Sequence, residues 1–206
     1  MKKSFSYKSP RGKIIEYYLS IPQNSSDNQD ARVILALPPG DQSKEAASVY
    51  DPWLSEITSS GWAVCTPTAP TGKLFFRGAE TYIPGLMDEV ITFLRLPKVG
   101  FHIFGVSNGG VSAFRIATLN PERFKSLTVF PGWPKPADVA RLDNLLHMPV
   151  SFIVGEDDIR WKSKSTHFHN KINNNGGDSV LEIVQNEGHM AFRNFPVKSL
   201  LRIIGR

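Results

Sequence analysis

Gly100-Phe101-His102-Ile103-Phe104-Gly105-Val106-Ser107-Asn108-Gly109-Gly110 joins an apolar run to a run of small residues through a glycine-flanked serine. The apolar run from Phe101 to Phe104 has the composition of a strand buried on both faces, and it breaks at Gly105. A helix rich in small residues begins at about Asn108. Between them, Ser107 has a glycine two positions away on each side, the G-x-S-x-G spacing of a strand-to-helix elbow that presents a nucleophilic serine. The spacing has a steric cause. A serine on so tight a turn is held in a strained backbone conformation, and side chains at the flanking positions would crowd the strand and the helix. Taken alone, three fixed residues in five also describe a glycine-rich turn with an exposed serine, so the rest of the chain has to discriminate.

Upstream, 4–9 and 13–21 alternate and are rich in aromatic and β-branched residues around Pro10-Arg11-Gly12, which predicts an antiparallel hairpin. Residues 23–30 read as a polar loop. Arg32-Val33-Ile34-Leu35-Ala36-Leu37 is a continuous apolar strand that stops at Pro38-Pro39-Gly40-Asp41, and a helix follows over 43–59. A strand over 62–66 leads into a Pro/Thr/Gly loop over 67–78. The next helix spans 80–96, interrupted near Pro84, with Val90, Phe93 and Leu94 on one face.

Downstream, the elbow helix runs to about Leu119, and a strand over 126–130 ends in Pro131-Gly132-Trp133-Pro134. A short helix covers 138–146, and a strand over 150–154 ends in Gly155-Glu156-Asp157-Asp158. A helix over 162–173, a strand over 180–184 ending in Gln185-Asn186-Glu187-Gly188-His189, and a helix over 197–203 complete the order. Strand then helix, six times over, predicts an α/β fold: a mostly parallel sheet flanked by helices, with an N-terminal antiparallel hairpin. No linker, repeat or low-complexity tract divides it, so residues 1–206 are expected to form one domain.

Composition narrows the function classes. The 206 residues are 41% hydrophobic and 21% charged, which suits a soluble globular chain with a core of its own. The net charge of +5 is spread out; the densest group, Arg160, Lys162 and Lys164, reads as a solvated helix face and not as a nucleic-acid patch. The one cysteine, Cys65, excludes an internal disulfide, fits a reducing compartment and lies in an apolar run that makes it a small core residue. Met1-Lys2-Lys3 is followed by no apolar signal region, and no run approaches the length of a membrane span. Asn24-Ser25-Ser26 is a formal glycosylation acceptor that carries little weight without a secretory signal. A cytoplasmic location is expected.

Ligands of such sheets bind at the carboxyl ends of the strands, where every distinctive loop of this sequence falls. A serine hydroxyl needs a general base, and the base needs an orienting acid. The sequence offers an acid and then a histidine at the ends of later strands, and Ser…Asp…His is the chain order of α/β-hydrolases. On these residues the chain resembles the α/β-hydrolase superfamily, in particular its small lidless esterases and thioesterases (the carboxylesterase, dienelactone-hydrolase and depolymerase-like branches), over nearly its whole length.

That resemblance implies Ser107 as nucleophile, His189 as general base and an aspartate at 157 or 158 as the acid. The G-x-x-D spacing common in related hydrolases points to Asp158. It also implies an oxyanion hole built from the amide of Asn108 and from the loop after the first long parallel strand. That loop usually holds His-Gly in the family, whereas here it is Pro38-Pro39-Gly40-Asp41. Proline has no N–H, which leaves Gly40 or Asp41 as donor, with Gly40 preferred.

The remaining histidines offer less. His102 lies inside a strand, His147 precedes Met148-Pro149, and His167 and His169 are two apart on a polar helix and do not share a face. Consecutive carboxylates at 156–158 diverge in direction, so neither they nor the histidines read as a metal site, and no cofactor is implied. Trp133 and Trp161, just beyond strand ends, are candidate substrate-binding residues; Phe75, Phe76 and Phe192 are either pocket wall or core caps, and Arg77 can meet an anion. The short 131–150 connection has no room for a lid domain, which favours soluble ester or thioester substrates. A hydrolase-fold binding or sensor protein with little turnover is the alternative, and the Pro38-Pro39 departure is the feature in its favour.

Overall fold

Continuous apolar runs build the central strands of a sheet covered on both faces there. The computed structural model describes residues 2–22, 32–70, 73–95 and 100–206. The loop expected over 23–30, the Asn24 motif and Leu96 lie outside the described residues. Strands β1 (Lys2–Lys8) and β2 (Ile14–Ser20) form the antiparallel hairpin, closed by the Ser9 amide donating to the Lys13 carbonyl at 2.8 Å. The remaining strands are β3 (Arg32–Leu37), β4 (Trp62–Pro67), β5 (Phe101–Gly105), β6 (Phe124–Val129), β7 (Val150–Gly155) and β8 (Ser179–Val184). They form one sheet in the order β1-β2-β4-β3-β5-β6-β7-β8. β2 joins β4 antiparallel, and every pairing from β4 to β8 is parallel.

The helices are α1 (Lys44–Ala47), α2 (Asp51–Ser59), α3 (Ile83–Leu94), α4 (Asn108–Leu119), α5 (Pro136–Val139), α6 (Ile159–Asn174) and α7 (Val197–Ile204). Successive strand residues point to opposite faces, so the parallel strands feed two cores. Val33, Leu35, Leu37, Phe101 and Ile103 pack with Val90 of α3, Phe114 of α4 and Phe168 of α6. Ile34, Ala36, Val64 and Phe104 pack with Trp53 of α2 and Leu200 of α7.

Four local expectations are corrected. The single helix over 43–59 is two, α1 and α2, joined by a 3₁₀ turn at Ser48–Tyr50, because Pro52 starts a new helix and cannot continue an old one. Pro84 does not interrupt α3; it sits in its first turn, where its missing N–H costs nothing. Phe93 does not share the buried face of Val90. The buried positions of α3 are Ile83, Leu86, Met87 and Val90, and Phe93 is 49% exposed, with its ring edge on Phe5 of the hairpin. The helix over 138–146 is likewise shorter: α5 plus a 3₁₀ turn at Leu142–Leu145, with no lid between β6 and β7.

His102 faces the α7 core. Its Nδ1 lies 2.8 Å from Ser126 Oγ and 2.9 Å from the Ile204 carbonyl, and its ring lies 5.0 Å from that of Trp62. Burial lowers its pKa to about 4 from an ordinary 6.5, opposed by the carbonyl contact. Between those values the unfolded chain takes up a proton that the native imidazole refuses. Stability should therefore fall as the pH drops from about 6.5 towards 4, by about 3 kcal/mol for this group. Urea titrations at neutral and mildly acid pH should show a smaller pH-dependent loss in His102→Asn than in the parent chain; an equal loss would remove His102 as its source.

Candidate active site

The elbow is built by backbone crowding. Ser107 has φ 55° and ψ −118°, a left-handed conformation that side chains rarely adopt. Its amide donates to the Pro131 carbonyl at 3.0 Å, and the Val106 amide donates to the Leu37 carbonyl at 3.4 Å. The loops after β3 and β6 thus hold the turn from both sides. A Cβ on Gly105 would collide with the Gly109 carbonyl, one on Gly109 with the Leu37 carbonyl, and one on Gly110 with the Pro131 carbonyl. Glycine is required there by close approach of main chain to main chain.

His189 follows β8, and its Nε2 lies 2.9 Å from Ser107 Oγ. Its Nδ1 lies 2.5 Å from Asp158 Oδ2. A carboxylate only accepts, so Nδ1 carries the proton, and the Nε2 lone pair accepts the Ser107 hydroxyl. Asp158, not Asp157, makes this contact. Asp158 stands at the N-terminal cap of α6 with its side chain 11% exposed, whereas the Asp157 amide is tied to the Glu187 carbonyl at 2.9 Å and its residue is exposed. The Glu156 amide also donates to the Val184 carbonyl, and a Cβ on Gly155 would strike the Gly188 carbonyl. The acid loop and the histidine loop are therefore in direct backbone contact.

The loop after β3 approaches the same point. Gly40 has φ +58°, and its carbonyl accepts from the Asn108 side-chain amide at 2.8 Å. Asn108 is the first residue of α4, so its backbone N–H has no intrahelical acceptor. What sequence reasoning missed is Gln42. It is fully buried with φ 60°. Its Nε2 donates to Ser112 Oγ at 2.9 Å and to the Pro38 carbonyl at 3.3 Å, and its Oε1 accepts the Phe75 amide at 2.8 Å. One side chain thus joins the β3 loop, the serine helix and the loop after β4. A glutamine beside Pro-Pro-Gly-Asp reads as a solvated loop residue, and nothing in its sequence neighbourhood signals otherwise.

The aromatic candidates divide. The Trp161 ring centroid lies 4.9 Å from that of His189, and the Trp133 centroid 4.0 Å from that of Trp161, so both line the site. Phe192 is buried against Trp53 and Phe130 in the α7 core, and Phe75 is buried in the other core; both are core residues. Cys65 is buried in the sheet. Among the described residues no cluster of His, Cys, Asp and Glu could hold a metal, and no helix is long and apolar enough to cross a membrane.

No family model and no curated protein matches the sequence. Solved structures do. A thermostable esterase superposes with a TM-score of 0.73 at 18% identity, over 100% of this chain and 60% of its own. A ferulic acid esterase gives 0.75 at 14% identity, over 100% and 98%. The dienelactone hydrolase of Anabaena variabilis gives 0.72 at 14%, over 98% and 94%. The chain spans about 60% of the first structure's length and nearly all of the other two. At these identities the likeness is one of fold: the chain has the α/β-hydrolase fold, and among the described residues no lid is inserted.

Removing the Gln42 amide would leave the buried Phe75 N–H and Ser112 hydroxyl without their partner, at about 1–3 kcal/mol for each group. Gln42→Ala should therefore lower the unfolding free energy by about 2–4 kcal/mol. Gln185→Ala, at an exposed glutamine, is the reference and should change it by less than about 0.5 kcal/mol. Urea denaturation of the two variants compares them directly; equal costs would deny Gln42 its clamping role.

Proposed function

We propose that the protein is a serine hydrolase that cleaves a carboxylic ester or thioester through Ser107, His189 and Asp158. The observation that carries this reading is the unbroken relay from Ser107 Oγ to His189 Nε2, and from His189 Nδ1 to Asp158 Oδ2, assembled from the ends of β5, β8 and β7. Neighbouring folds named as esterases support it.

In this reaction His189 Nε2 takes the Ser107 proton as Oγ attacks the acyl carbonyl, and the negative charge passes to the carbonyl oxygen. Asp158 keeps the imidazole in the required tautomer and stabilises its charged form. The imidazolium then gives the proton to the leaving alcohol or thiol as the acyl–heteroatom bond breaks. Water, deprotonated by the same nitrogen, releases the acid and restores Ser107.

The developing oxyanion is held by the Asn108 amide and by Gly40, with the N-terminal end of α4 adding a favourable field. Gly40 is preferred over Asp41 on peptide geometry. In a trans peptide the N–H points opposite to the carbonyl. Because the Gly40 carbonyl faces the Asn108 side chain, the Asp41 N–H turns away from it. The openness of the site fits soluble substrates, since no lid covers it among the described residues and the His189 side chain is 36% exposed.

Ser107→Ala should lower kcat for p-nitrophenyl butyrate by at least about 10⁴-fold and abolish labelling by a fluorophosphonate probe. Asp158→Asn should lower kcat by about 10³–10⁴-fold, whereas Asp157→Asn should leave it within about twofold. Unchanged probe labelling in Ser107→Ala would sink the reading. A parent protein that binds the ester but neither turns it over nor takes the probe would point to a binding protein on this fold.

A further inference from the structure

The wall beside His189 is aromatic, and its rim is cationic. Trp161 stands in the first turn of α6 against the His189 ring, and Trp133, after β6, packs on Trp161. Both rings are half-buried. Two cations lie against Trp133, and a third, Arg77, lies against Phe76. The Lys135 ammonium lies 5.7 Å from the Trp133 ring and 5.5 Å from the Phe76 ring. The Arg160 guanidinium lies 5.9 Å from the Trp133 ring, and that of Arg77 5.3 Å from the Phe76 ring.

Among the described residues none of these three cations has an ion-pair partner, whereas Arg115, Arg123, Arg141 and Arg206 each meet a carboxylate. Arg160 also occupies the first turn of a 16-residue helix, where the positive end of the helix dipole disfavours a cation. Like charges gathered without a counterion raise the free energy of the site, and a bound anion offsets it. Apolar surface completes the rim: Ile159, next to the acid, is 66% exposed, and Met190, next to the histidine, is 40% exposed.

We propose, on the premise that the Ser107 site is a hydrolase, that its substrate is an anionic ester whose alcohol half is a flat apolar group carrying a carboxylate or a similar anion. The flat group lies on Trp161 and Trp133, and the anion meets Arg160 and Lys135. The alcohol half is assigned to this wall because His189 must hand its proton to the leaving oxygen, so the leaving group sits on the side of His189. Trp161 is the ring that packs there. Aromatic faces offer area at low entropy cost, and cations beside them supply the charge that meets an anion.

The test compares para-acetoxybenzoate with its neutral counterpart para-acetoxybenzamide on the full chain. We expect a kcat/KM ratio of about tenfold or more in favour of the anion at low ionic strength, shrinking several-fold in about 0.5 M salt. Arg160→Gln and Lys135→Gln should each lower that ratio by about three- to tenfold. Binding of para-hydroxybenzoate and para-hydroxybenzamide to Ser107→Ala, followed by tryptophan fluorescence, reads the same preference without turnover. Turnover of both esters at a ratio near one, or a ratio untouched by both substitutions, overturns the anion subsite and leaves the hydrolase reading standing. Charge-selective binding to Ser107→Ala, with no ester cleaved by the parent, upholds the subsite and overturns the hydrolase reading. Absence of charge preference in binding overturns the subsite whatever the turnover.

Discussion

The carbonyl oxygen of Leu37, at the end of β3, is the atom against which the site is set. It accepts the buried Tyr50 hydroxyl at 2.6 Å and the Val106 amide at 3.4 Å, and Gly109 lies so close that no side chain fits between. The turn into α2, the elbow and the serine helix are thereby fixed relative to one strand end. Gly110 against Pro131, and Gly155 against the Glu187-Gly188 backbone, repeat the device at the neighbouring strand ends. Distances between Ser107, His189 and Asp158 then follow from main-chain contacts, and the side chains have short reaches to cover. A close-packed backbone frame is also what keeps a strained serine in place, since a lone turn would relax it.

This explains why the elbow and the order of the three polar residues are legible in the sequence. Close approach demands glycine, glycine is visible as a letter, and strand ends are marked by where apolar runs stop. The same logic distinguishes Asp158 from Asp157 only in three dimensions. The two adjoin, and what separates them is the Asp157 amide bound to Glu187, which leaves one residue exposed while the carboxylate of the other lies against His189 Nδ1. Phe192 and Phe93 were illegible for a related reason. An aromatic residue beside a site or on a helix carries no mark of the face it takes; Trp53 and Phe130 bury the first, and the hairpin's Phe5 receives the second at the surface.

Gln42 is the sharper case. Polar residues in loops are mostly solvated, and their letters say nothing about an inward turn. Here three loops converge where no regular element can satisfy their backbone groups, and a side chain with both donors and an acceptor solves the problem in one place. The left-handed backbone at Gly40 and Gln42 bends the Pro38-Pro39 segment toward α4 and brings the Gly40 carbonyl against the Asn108 side chain.

The parts that fix the fold and the parts that meet a substrate differ in how tightly they are constrained. Solved structures at 14–18% identity share the sheet, because backbone packing at strand ends admits few residues and tolerates almost any surface. The wall of Trp133, Trp161, Lys135 and Arg160 obeys no such constraint. It lies on loops and on the first turn of α6, positions free to vary while the frame stays intact. A neighbour's substrate therefore does not transfer with the fold. The proposed subsite rests on residues that the fold itself does not need: half-buried rings with unpaired cations beside them, to which a flat ligand of opposite charge is the complement.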